Sequence, residues 1–359
     1  MAIAHGSATA FFLFDVAERI DLAAVRARFG DATATRLTPR PVTPPYVQYA
    51  DPPIALDAAA VDEADIEGFR LRFKLFDYGV ISVAASRPLP PTWKELLSEG
   101  VTWYESEALS LAAEQACRAL VARLGSAVTA PRREFLSEDY WVFVVTGIEG
   151  APDASALLAG HGADLAQLLR GEREPLSAQE RDEVLRHRIS YFANDLVIPT
   201  WNGAFVYDTE AGASATLEVL EYANSQLLEF RYYDNLLAAE LQKIYAQLER
   251  GGWKQSWFGR RYAKAAREVQ ALYIDVSDLT DRAERALTLT GDVYAARVFG
   301  LAATRLGLAQ WKGNISEKLK TLDDIYRFAV EHTAMTRGEV LEIAIVLLFL
   351  LDLILLFND

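Results

Sequence analysis

Residues 69–84 read FRLRFKLFDYGVISVA, and this stretch carries the strongest fold signal in the chain. From Phe69 to Leu75 apolar and basic side chains alternate, the period of two that marks a half-buried strand. Asp77-Tyr78-Gly79 reads as a turn and Val80 to Ala84 as a second strand, so the stretch predicts a β-hairpin.

Working outward, Thr9 to Phe14 is an apolar and aromatic strand, and Ile20 to Phe29 has helical spacing with Asp21 as its N-cap. Pro39, Pro41, Pro44, Pro45, Pro52 and Pro53 exclude a helix between them and predict extended chain. On the other side of the hairpin, helices are expected at Trp93 to Leu97 and Ser106 to Leu124, and a central strand at Tyr140 to Thr146. Helices at Ala154 to Leu169 and Ser177 to His187 follow. Tyr191 to Pro199 and Gly203 to Tyr207 then form a second hairpin around Trp201-Asn202-Gly203. Strands and helices mix without a regular βαβ alternation, which argues for an α+β domain over residues 1–210.

Residues 211–335 have a different character. A heptad set on Leu220 places Leu220, Leu227, Asp234, Leu241 and Leu248 at one seam position and Ala223, Phe230, Leu237 and Ile244 at the other. Eight of these nine are apolar, so a long helix is expected to pack along a coiled-coil-like seam and join copies of the chain. Asp234, the polar exception, either sets register or faces the edge of the seam. Glu229, Arg231, Tyr232, Tyr233 and Asp234 form the densest polar and aromatic patch of this helix, read as an interhelical packing and ion-pair surface. A break at Gly251, Gly252 and Gly259 precedes a second seam from Tyr262 to Ala286, and Ile315, Leu319, Leu322, Tyr326 and Ala329 define a third helix.

Residues 336–359 hold the main functional clue. Val340 to Phe357 reads VLEIAIVLLFLLDLILLF, eighteen residues in which Glu342 and Asp352 alone are polar. As a helix it extends about 27 Å, close to the hydrocarbon thickness of a bilayer. Val340, Leu341, Leu347, Phe349, Leu356 and Phe357 leave no solvated face, so the helix needs lipid or protein around it. Glu342 and Asp352 lie near its ends, where water reaches them or where neighbouring tails meet. Arg337 precedes the run and acidic groups follow it, which orients the bulk of the chain to the cytoplasmic side as a single-pass anchor.

The net charge of −14 argues against nucleic acid as a partner. The basic groups Arg260, Arg261, Lys264 and Arg267, beside Trp253 and Trp257, read as a solvated helix face, or as a juxtamembrane or RNA-contacting patch. Cys117 is the one cysteine and sits in an Ala-rich helical stretch, the setting of a buried structural thiol. The histidines His5, His161, His187 and His332 are isolated, and Gly160-His161-Gly162 lacks the context of a phosphate loop. Hence no catalytic residue, metal ligand or cofactor is expected.

Phe76-Asp77-Tyr78-Gly79-Val80 in the hairpin, the long helices, and Arg337-Gly338-Glu339-Val340-Leu341-Glu342-Ile343 ahead of an apolar run together resemble the "required for meiotic nuclear division" family. The resemblance rests on Phe76, Tyr78, Gly79 and Val80 and on the Leu341-Glu342 pair. It implies a membrane-anchored, oligomerising protein without known catalysis. The reading that follows is a non-enzymatic scaffold, with itself, the bilayer and a further protein as partners. The alternatives are a soluble homo-oligomer whose terminal helices bundle, and a small-ligand sensor with a pocket near Tyr78, Trp141 and Trp201.

Overall fold

A computed structural model describes residues 2–30, 52–57, 65, 66, 68–249 and 293–325, with Ile274, Val276, Arg327 and Ile345. Strand β1 (Ile3–Ile20) is the centre of the fold. It pairs antiparallel with β5 (Val80–Pro88) on one side and with β6 (Val128–Ile148) on the other. Beyond β5 lie β4 (Phe69–Leu75) and β2 (Ile54–Asp57), with the short β3 (Asp65–Ile66) also on β4. Beyond β6 lies β8 (Gly203–Tyr207), parallel to it, and then β7 (Leu196–Pro199), which forms the far hairpin with β8. The order β2-β4-β5-β1-β6-β8-β7 makes a mixed sheet, and with the helices a mixed α+β fold.

Period-two alternation gives this sheet two faces. Along β1, Ala8, Ala10, Phe12, Phe14 and Val16 point into one core, while Phe11, Leu13 and Asp15 point the other way, and all are buried. The first face is covered by α2 (Trp93–Tyr104), α3 (Glu107–Leu124), α4 (Ala154–Arg170) and α5 (Ala178–Arg186). Thr92, Ser106, Asp153 and Ser177 cap these four helices through side-chain oxygens, which fixes where each begins. Phe69, Trp103, Trp141 and Phe143 stack or meet edge-on there, with ring centroids 5.8 to 6.4 Å apart. The short α1 (Leu22–Phe29) follows β1 and is capped by Asp21 as its sequence predicts.

The second face is covered by the start of α6 (Glu210–Glu249) and by α7 (Val293–Arg305). From Val219 to Phe230 every residue of α6 is buried, so this part of the helix is enclosed all round. Tyr222 packs on Phe299 of α7 at 6.1 Å. The chain accordingly divides into a unit of residues 1–232 with 282–309 and a unit of residues 233–281 with 310–359. The first unit therefore takes in the opening turns of α6, whereas the boundary expected from the sequence falls at residue 210. The reason is the second face of the sheet, which is apolar and needs a cover.

In the second unit, Leu237 and Ile244 of α6 and Ile315, Leu319 and Leu322 of the helix over residues 308–325 are buried. Lys318 Nζ donates to Asp234 Oδ1 at 2.7 Å, an ion pair that accounts for the polar seam position. Among the described residues no helix is long and apolar enough to cross a membrane. Apart from Ile345, the expected membrane segment, with Val340, Leu341, Glu342, Leu347, Phe349, Asp352, Leu356 and Phe357, lies outside the described residues, as do the glycine break, most of the second seam and the side chain of Leu248.

Candidate functional site

The hairpin turn between β4 and β5 is fixed by close backbone approach. Gly79 has φ 91°, and a Cβ there would lie 1.9 Å from the Ala17 carbonyl oxygen, so a side chain is excluded on two counts. The turn is tied to β1 by hydrogen bonds from Val16 N to Gly79 O, 3.0 Å, and from Ile20 N to Asp77 O, 2.9 Å. Phe76 and Tyr78 stack with centroids 5.3 Å apart, and Val80 is buried. This arrangement holds the Tyr78 hydroxyl against α6.

The direction of the hydrogen bonds there follows from proton count. Ser225 Oγ lies 2.7 Å from the Tyr222 carbonyl, which can only accept, so the serine hydrogen goes to it. Tyr78 therefore donates to Ser225 Oγ at 2.6 Å and accepts from Gln226 Nε2 at 3.3 Å. Burial, with Tyr222, Glu229 and Asp77 nearby, pushes the Tyr78 phenol well above its ordinary range, so the hydrogen stays on it.

One turn further along α6 the site becomes charged. Between the pairs Asp15–Leu136 and Ala17–Pro131, β1 advances two residues and β6 advances five. The surplus is a bulge in β6 that carries Arg132, a device that re-aims side chains. Arg132 Nε donates to Asp15 Oδ1 at 2.7 Å, and the guanidinium carbon sits 3.7 Å from the centroid of the Tyr232 ring. Asp15 is fully buried, and its Oδ2 has no hydrogen-bond partner. Burial raises its carboxyl to about 6, with Arg132 opposing the rise. Glu229 is 4% exposed and its Oε1 also lacks a partner. Burial first and then Asp15 hold the Glu229 carboxyl well above the usual carboxylate range, against the pull of Arg132.

Two further ion pairs flank this cluster. Lys74 of β4 meets Glu221, and Arg231 meets Glu138 of β6. What the arrangement does chemically is dock a helix on a sheet through buried charge. Among the described residues no group of three or more metal-ligating side chains is present.

The structure uses the sequence-predicted residues unevenly. Phe76, Tyr78, Gly79 and Val80 come together at the turn. Leu220, Leu227 and Phe230 of the seam are buried in the subunit's own core, Leu237 and Ile244 within the second unit, and Leu241 is half-buried. Tyr78, Trp141 and Trp201 are not brought together: Tyr78 meets α6 on the second face, Trp141 belongs to the first, and Trp201 is 63% exposed. His161 is stacked on Trp93 at 4.4 Å, with Nδ1 3.1 Å from Asp164. Cys117 is buried, which pushes its thiol far above the ordinary range. The residues that sequence reasoning missed are Asp15 and Arg132. The available signal was an aspartate ending an apolar strand, at Phe14-Asp15-Val16.

A mixed sheet closed on both faces, its second face sealed by a helix over buried charge, defines an α+β domain that begins near the N-terminus and runs into α6. The chain belongs to the family described as "Uncharacterized protein MJ0711, N-terminal domain", whose model matches residues 5–214. The "Uncharacterized protein MJ0711" of Methanocaldococcus jannaschii is 25% identical over 203 residues, which are 56% of this chain and 62% of that protein. The match thus spans less than two thirds of the relative. No solved structure matches significantly. The family match overturns the assignment to the "required for meiotic nuclear division" family drawn from Phe76 to Val80 and from Leu341-Glu342. Short motifs of that kind specify a tight turn and the edge of an apolar run, which unrelated chains also need.

Proposed function

We propose that this protein is a non-enzymatic, membrane-anchored scaffold that self-associates and presents its α+β unit on the cytoplasmic side. The observation that carries the reading is the run Val340 to Phe357, with two polar residues in eighteen. Ile345 within it is helical and 55% exposed, in keeping with a cover supplied from outside the subunit. Arg337 ahead of the run favours the cytoplasmic side for the bulk of the chain.

Fractionation of cells making the full chain tests it. The expected result is recovery with membranes after an alkaline wash, lost when residues 340–359 are deleted. A full chain that stays in the detergent-free supernatant as a monomer ends the proposal. A detergent-free, monodisperse oligomer selects the second reading instead, in which the terminal helices cover Ile345 and its neighbours by bundling.

A further inference from the structure

Around Glu229 the count of buried charges does not close. Asp15 is fully buried and Glu229 is 4% exposed, each carboxyl has an oxygen with no hydrogen-bond partner, and the Asp15 charge bears on Glu229, while Arg132 is the cation acting on both among the described residues. That guanidinium is committed already, with Nε on Asp15 and its plane over Tyr232. The other cations near this stretch of α6 are occupied too, Lys74 by Glu221 and Arg231 by Glu138. Asp77 and Tyr78 from the β4–β5 turn and Tyr232 from α6 also bear on these groups, with Tyr222 and Ser225 acting on Tyr78, and none of the five adds positive charge. A second buried carboxylate without a counter-ion is strongly disfavoured, and a carboxyl in that position neutralises instead.

We infer that α6 is seated on the sheet by a proton: Glu229 docks as the neutral acid, and its ionisation is coupled to the release of this part of the helix. The device is a pH-gated latch. Its placement gives it an output, because Glu229 lies on the last turn of α6 that belongs to the first unit, before the helix passes into the second at Tyr233. Opening lets Glu229 reach water, where it ionises at the ordinary carboxylate value. Each opening then releases one proton, so the open population rises about tenfold per pH unit until Glu229 ionises in place. The raised carboxyl of Glu229 agrees with this, and Asp15, which titrates at about 6, contributes at more acidic pH.

The test is amide hydrogen exchange of the full chain, read on residues 222–235 and corrected for the intrinsic base-catalysed rate. Between roughly pH 6.5 and 8.5 the wild type is expected to open about tenfold more per unit, and Glu229→Gln to show a flat profile with stronger protection at the alkaline end. A flat wild-type profile, or an unchanged slope in Glu229→Gln, overturns the latch. If Glu229→Gln does not fold, infrared spectroscopy of the wild type decides. A protonated-carboxyl stretch in the native protein at neutral pH, lost on unfolding, supports the latch, and its absence overturns it.

Discussion

The Tyr78 hydroxyl donates to Ser225 Oγ at 2.6 Å across 147 positions of sequence, and so ties the turn of the first hairpin to the helix that closes the second sheet face. Tyr78→Phe removes the donor to Ser225 and the acceptor for Gln226, and leaves both buried groups short of a partner. The expected cost is roughly 1 to 3 kcal/mol, read as a lower midpoint in urea with an unchanged m-value. A stability equal to wild type would mean that water replaces the phenol.

Gly79→Ala is expected to be at least as damaging, for a different reason. The methyl group meets the Ala17 carbonyl oxygen at 1.9 Å in a backbone of positive φ, so the turn must lift away from β1. The loss should appear in thermal melts as a lower Tm. It should also appear as loss of exchange protection at the amides of Val16 and Ile20, which bond to Gly79 and Asp77.

The buried acid Asp15 makes stability depend on pH with a definite sign. Its folded-state value of about 6 lies above the ordinary 3.8, so the protonated form favours the native state. Its contribution is full below about pH 4 and is lost as pH rises through about 6, a change of roughly 2 to 3 kcal/mol. Asp15→Asn should remove this group's share of the slope across that interval and leave the share of Glu229, whatever it does to the absolute level. A slope there that is undiminished in Asp15→Asn would assign all of it to other groups.

The seam residues should separate by position. Leu220 is fully buried in the first unit, so Leu220→Ala is expected to cost roughly 2 to 5 kcal/mol in the isolated subunit. Leu241 is half-buried, and Leu241→Ala should cost less than half as much. Denaturant titrations of the two variants, with mass measured under native conditions, check the order. Equal costs, or a change of subunit number in Leu220→Ala alone, would contradict the burial assigned to them.

Much of the first unit was legible because its signals are local. The alternation of Phe69 to Leu75 gave β4, the Asp-Tyr-Gly step gave the turn, and Ser106 and Ser177 marked helix starts that the structure places within a residue. Asp234 was read as the odd residue of a seam, and its partner Lys318, 84 positions on, carries no mark that a periodicity can show. The same limit hid the site. Asp15 and Arg132 are 117 positions apart, and neither residue type is unusual where it stands.

By itself the sequence determined the mixture of strands and helices, the α+β class and the apolar character of residues 340–357, because each follows from the order of side chains along one element. Which helix would cover the sheet's second face was decided by the tertiary structure alone, since the apolar stripe of α6 suits a partner copy and its own sheet equally well. The pairing of Asp15 with Arg132 beside Glu229 was decided the same way: desolvation acts on groups that only the folded chain brings together, and it sets their protonation after the backbone has chosen its neighbours.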